Sequence, residues 1–145
     1  MEIKKITKEN QRESLDLVWR VFLEYEAPDY SEEGIQEFKK SIDDETFIAA
    51  LDIYGAFEKD ELLGVIATRN LNHIALFFVE GTHHKKGIGR NLYNYVVIKN
   101  PDNFFTVNSS PYAKIVYEKL GFKYVDNEQI VNGIRFYPMR NDNIK

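Results

Sequence analysis

The sequence predicts a mixed α/β (α+β) fold: a mostly antiparallel central sheet flanked by helices, with two parallel strands inside it. Three observations carry this. Residues 74–79 read as a strand, in which Ile74, Leu76 and Phe78 alternate with Ala75, Phe77 and Val79, apolar on both faces as a covered central strand requires. A glycine-bearing basic loop and a helix follow it directly. A second strand, residues 104–108, comes only after that helix, so it runs parallel to the first.

The elements can be justified in order. Residues 1–7 form a short strand around Ile3 and Ile6, and Thr7 to Asn10 offer capping side chains. Over residues 11–25, Leu15, Val18, Trp19, Phe22 and Leu23 make one stripe of an amphipathic helix. Pro28 and its neighbours break it, and Ser31 opens a second helix with Ile35, Phe38 and Ile42 on its apolar side. Residues 46–51 and 53–58 are strand candidates, and the polar turn at Lys59, Asp60 and Glu61 leads into a strand over 62–68. A turn at Asn70 to Asn72 brings the chain into the central strand, completing a meander. Ser109, Ser110 and Pro111 start a helix over 112–120 that Gly121 closes. Residues 122–125 and 134–139 complete the sheet as a hairpin turning at Asn132 and Gly133.

At 145 residues the chain is long enough for one self-sufficient domain, residues 1–145. It has no cysteine, which excludes disulfides, zinc-thiolate centres and thiol nucleophiles. A net charge of −4 argues against a general nucleic-acid binder and suits an amine substrate. No apolar run approaches the roughly 18 residues of a membrane span, and no signal-peptide core follows Met1, so a cytoplasmic protein is expected.

The segment from His83 to Arg90 carries the most specific chemistry. Gly87 and Gly89 let backbone approach a ligand, and the amides opening the next helix, helped by Lys85, Lys86 and Arg90, favour a phosphate. The bland alternative is a tight turn with solubilising lysines. The spacing fits neither a Walker loop nor a dinucleotide fingerprint. It resembles the acetyl-CoA loop of the GCN5-related N-acetyltransferase family, written as Gln or Arg, two residues, Gly, one residue, then Gly or Ala. Here the six residues are His84, Lys85, Lys86, Gly87, Ile88 and Gly89, with His84 in the Gln/Arg place. A second stretch, Asn108 to Phe122, is similar to the family's closing motif: Ala113, Tyr117 four residues later, then Gly121 and Phe122.

The resemblance covers nearly the whole chain and implies the acyl-CoA N-acyltransferase fold, with acetyl-CoA as cosubstrate. In that reading, residues 84–90 (His84, Lys85, Lys86, Gly87, Ile88, Gly89, Arg90) hold the pyrophosphate. The two parallel strands splay apart, and the backbone of Phe77, Phe78 and Val79 orients the pantetheine arm. Asn108 and Ser110 can hydrogen-bond that arm, although for Ser110 an N-cap of the following helix is the preferred reading. Tyr117 protonates the departing sulfur, where the structural alternative is a core tyrosine. A base must take the amine proton, and Glu80 at the splayed strand end is the expected residue, with Glu24, Glu26 and Asp29 as further candidates near Tyr30. Adjacent His83 and His84 point apart, so no metal is expected, and His73 reads as surface.

The function so implied is direct acetyl transfer from acetyl-CoA to a primary amine of a small-molecule or peptide acceptor, with no nucleic-acid or membrane partner. A non-catalytic acyl-CoA-binding or regulatory module and a nucleotide-phosphate binder are the rivals. The acceptor is not legible, and the oligomeric state stays open, a homodimer included.

Overall fold

The computed structural model describes residues 1–81 and 87–145. The elements are β1 (Glu2–Lys5), α1 (Lys8–Val21), α2 (Glu32–Ile42), α3 (Glu45–Ala49), β2 (Leu51–Glu58), β3 (Glu61–Arg69), β4 (His73–Val79), α4 (Ile88–Lys99), β5 (Phe105–Ser109), α5 (Lys114–Lys119), β6 (Lys123–Tyr124), β7 (Gln129–Val131) and β8 (Ile134–Asn141). The sheet runs β1-β2-β3-β4-β5-β8-β6, with β7 paired to β8, and β4–β5 is its parallel pair. The expected mixed sheet is therefore present, with β4 at its centre.

One core lies between α1, α2 and one sheet face, built on Leu17, Val18, Phe22, Val65, Leu76 and Phe78. The other lies under α4 and α5 and contains Leu63, Ile66, Ile74, Leu92, Phe105 and Met139. Strict alternation would put Ile74 on the face of Leu76 and Phe78. It does not, because β3–β4 pairing steps from Leu76 directly to Ile74 and leaves Ala75 as an extra residue. This bulge reverses the alternation and bends the strand.

Four further expectations need correction. Residues 45–49 form α3 rather than a strand, because the Asp44 carboxylate accepts from the amides of Thr46 (2.9 Å) and Phe47 (3.3 Å), a cap that favours helix. The first helix begins earlier than expected and is α-helical only to Val21; residues Phe22–Glu26 make a π-turn, and Ala27–Asp29 a 3₁₀ turn. The last helix starts at Lys114, after a turn in which Ser110 Oγ accepts from the Ala113 amide at 3.1 Å. The hairpin at Asn132 and Gly133, both at positive φ, joins β8 to the unexpected short β7, while β6 pairs with the far end of β8. No helix among the described residues is long and apolar enough to cross a membrane.

Candidate functional site

The site begins where β4 and β5 part. Their ladder holds two partner pairs, His73 with Thr106 and Ile74 with Val107, and the bulge at Ala75 follows immediately. His73, expected on the surface, braces the strands just before they diverge: its Nδ1 lies 2.8 Å from Thr106 Oγ1. Burial, with Arg69 nearby, lowers its pKa from 6.5 to about 4, so the imidazole is neutral near neutral pH.

Two cavities occupy the fork. The first, of about 310 Å³, is lined by α2, the bulged part of β4, the end of β5 and the β7–β8 turn. The second, of about 380 Å³, is lined by Val79, Gly89 and the α5 face bearing Val116 and Tyr117. Glu26, Phe77, Phe78, Ala113 and Tyr117 line both.

Glu26 owes its place to the π-turn, in which the Ala27 amide reaches back to the Phe22 carbonyl. Such a turn admits one extra residue into a helix and is frequent at functional sites. The carboxyl is buried, and desolvation is the main cause that raises its pKa from 4.5 to about 7; Asp29 adds to the rise, and a hydrogen bond with Ser110 opposes it. Such a group can take or give a proton near neutrality. Tyr30 seats the same connection, donating from its hydroxyl to the Arg135 carbonyl at 3.1 Å.

Tyr117 is buried, 5% exposed, with its ring edge-on to Phe122 at 5.3 Å and tilted against Phe77 at 6.0 Å. Its phenol is raised above the ordinary value, first by burial and then by the Glu26 charge. Both readings made from sequence thus describe it: it packs in the core and also lines the fork.

The other expected residues distribute as follows. Glu80 forms an ion pair with Arg20 and lines a different cleft, with Glu13, Asp16 and Glu61. Glu24 and Asp29 are exposed. Gly87 adopts positive φ (78°) as N-cap of α4 and has no side chain with which to cap it, and no side-chain cap of this helix is present among the described residues. Gly89 borders the second cavity, and a Cβ there would meet Phe77 at 3.5 Å, an ordinary contact, so packing against the protein does not demand glycine. The Ile88 side chain is core, which leaves only its backbone for a ligand, and Arg90 is exposed. Phe77 and Phe78 line both cavities, Val79 the second alone, and Asn108 and Ser110 the first. His84, Lys85 and Lys86 lie outside the described residues.

Sequence reasoning passed over Glu37, Tyr112 and Asn132, which also line the cavities, and ranked Glu80 above Glu26. A signal for Glu26 existed. It falls four residues after Phe22 on the apolar stripe of the first helix, where a carboxylate is out of place unless it has work to do.

Comparison with known proteins bears on the family and the fold. The model of the acetyltransferase (GNAT) domain family matches residues 26–142. Among solved structures, a GCN5-related N-acetyltransferase from Rhodopseudomonas palustris superposes with a TM-score of 0.82 at 18% identity, over 97% of this chain and 94% of that one. The PaiA N-acetyltransferase of Thermoplasma acidophilum, solved with coenzyme A, gives 0.71 at 17% identity, over 97% and 98%. An aminoglycoside 6'-N-acetyltransferase complexed with coenzyme A gives 0.66 at 17% identity, over 100% and 98%. No curated protein sequence matches the chain. With the family model spanning most of the chain and the same fold in these structures, the chain belongs to the GNAT acetyltransferase family.

Proposed function

We propose that the protein transfers an acetyl group from acetyl-CoA to a primary amine by direct attack, with Glu26 as base and Tyr117 as acid. The observation that carries this is that Glu26 and Tyr117 line both cavities at the fork. A donor in the second cavity and an acceptor in the first would therefore meet between these two side chains.

Three features of the second cavity support its assignment to the donor. The N-terminus of α4, whose N-cap Gly87 has no side chain, suits an anionic phosphate group, Gly89 leaves space a side chain would fill, and β4 has parted from β5 beyond Ile74, so that Phe77 and Phe78 border the cavity where an amide-bearing arm would lie. Bound acetyl-CoA would supply an activated thioester carbonyl.

The chain's own residues handle protons. Glu26 accepts one from the attacking amine, which is nucleophilic only when neutral. Taking that proton also removes the negative charge that helps hold the Tyr117 phenol up, so Tyr117 becomes a stronger acid once Glu26 has done its part. Tyr117 then protonates the departing sulfur, and the proton on Glu26 restores the balance of the pair. Glu80, already neutralised by Arg20 in another cleft, is less suited to the base role.

The test is release of free thiol from acetyl-CoA by the purified protein against a panel of primary amines. Amine-dependent release is expected. A protein that neither releases thiol with any amine nor gains thermal stability from CoA would remove the proposal.

A further inference from the structure

The first cavity has a charge pattern that a simple monoamine does not exploit. Two carboxylate residues line it, Glu26 and Glu37, and no Lys, Arg or His does so among the described residues. Two nearby cations are engaged elsewhere, Arg135 Nε with Glu128 at 2.6 Å and Lys39 with Asp43 at 2.5 Å, and Lys40, three residues after Glu37, is exposed and does not line the cavity. Glu37 makes no ion pair among the described residues, and its carbonyl, not its carboxylate, accepts from Ser41 Oγ at 3.1 Å. The cavity-lining residues of α2 are Glu37, Phe38, Ser41 and Ile42, whose spacing is that of one helical face.

The two carboxylates differ in position. Glu26 lines both cavities, whereas Glu37 lines the first alone and so stands away from the junction with the donor side. Apolar walls such as Phe38, Leu76 and Phe136 belong to the same cavity and suit a methylene chain.

We propose that the acceptor is a small dication, a diamine with an aliphatic spacer, and that Glu37 is the specificity-determining residue that holds its second, non-reacting ammonium. What Glu26 does rests on the acetyltransferase reading above; what Glu37 holds does not. A closely lined cavity with one sign of charge concentrates counter-charge and favours ligands carrying more of it.

The experiment is titration calorimetry of 1,4-diaminobutane and of butylamine, with CoA present, into the wild type, Glu37→Gln and Glu37→Asp. The wild type is expected to bind the diamine about 10-fold or more tightly than butylamine. Glu37→Gln should reduce the diamine to the affinity of butylamine, and Glu37→Asp should keep part of the preference. Equal affinities in the wild type, no measurable diamine binding at millimolar concentration, or a preference that survives Glu37→Gln would each overturn the inference. Binding is read without turnover, so a diamine that is preferred but never acetylated counts against the acetyltransferase reading alone. A monoamine acetylated with no diamine preference counts against Glu37 alone.

Discussion

Glu26 and Tyr117 share the lining of both cavities, and the carboxylate charge is, after burial, the second cause that raises the tyrosine's pKa. A base and an acid so placed are coupled: the state of one sets the strength of the other. That coupling has consequences for stability as well as for turnover.

Glu26 should destabilise the fold as pH rises. Its folded pKa, about 7, lies above the ordinary 4.5, so between these values the unfolded chain gives up a proton that the folded protein keeps. Stability from this group is complete below 4.5, declines across the interval and is gone above 7, a loss of about 3 kcal/mol at roughly 1.36 kcal/mol per pH unit. Glu26→Gln, with no proton to lose, should unfold at higher denaturant than the wild type at pH 8 and show little advantage at pH 4.5. An equal gap at both pH values would mean the carboxyl is not held neutral by burial.

His73 should act in the opposite sense. Its folded pKa of about 4 is below the ordinary 6.5, so stability present above 6.5 is lost as pH falls toward 4. The imidazole is partly solvated, which reduces the effect to about 1–2 kcal/mol. In the wild type the two slopes oppose one another between 4.5 and 6.5. His73→Gln can keep a hydrogen bond to Thr106 without titrating, and should show the Glu26 decline unmasked; urea midpoints at half-unit pH steps read this out.

Much of the fold was legible because its signals are local. The stripe of the first helix from Leu15 to Phe22, the helix between two parallel strands and the turn at Asn132 and Gly133 each depend on a few neighbouring residues and stand in the structure, whereas Leu23, expected on the same stripe, is exposed beyond the point where the π-turn begins. What could not be read depends on contacts distant in sequence. The bulge at Ala75 is a matter of register against β3, so the alternation of β4 misplaced Ile74. Glu80 follows β4 directly in sequence, but its ion pair with Arg20, a residue of α1, lies in a different cleft, which spacing along the chain does not reveal. Tyr117 was placed by motif and the two cavities by folding, which alone shows that Glu26 adjoins both.

Gly34 is a position where only glycine fits. A Cβ there would collide with the carbonyl of Gly133, where α2 meets the β7–β8 turn above the first cavity. Gly34→Ala should cost about 1–3 kcal/mol, the usual range for overpacking against backbone, and should raise the KM for the acceptor. A denaturant midpoint unchanged from the wild type would show that the two elements separate freely.

Gly89 should behave differently, because its Cβ would make only an ordinary contact with Phe77 while projecting beside the second cavity. Gly89→Val is expected to fold and to lose the thermal stabilisation that CoA gives the wild type. Retained stabilisation would place the phosphate-bearing ligand elsewhere.

The most direct measurement is the pH dependence of kcat/KM for an amine acceptor in the wild type, Glu26→Gln and Tyr117→Phe, with CoA affinity measured in parallel. The wild-type profile should rise with an inflection near 7, the value at which Glu26 becomes a base. Glu26→Gln should lose that inflection, and each variant should fall by about 100-fold, the scale of a lost acid or base, while binding CoA nearly as well as before. Turnover that survives both substitutions with the wild-type profile intact would contradict the assignment of proton transfer to this pair.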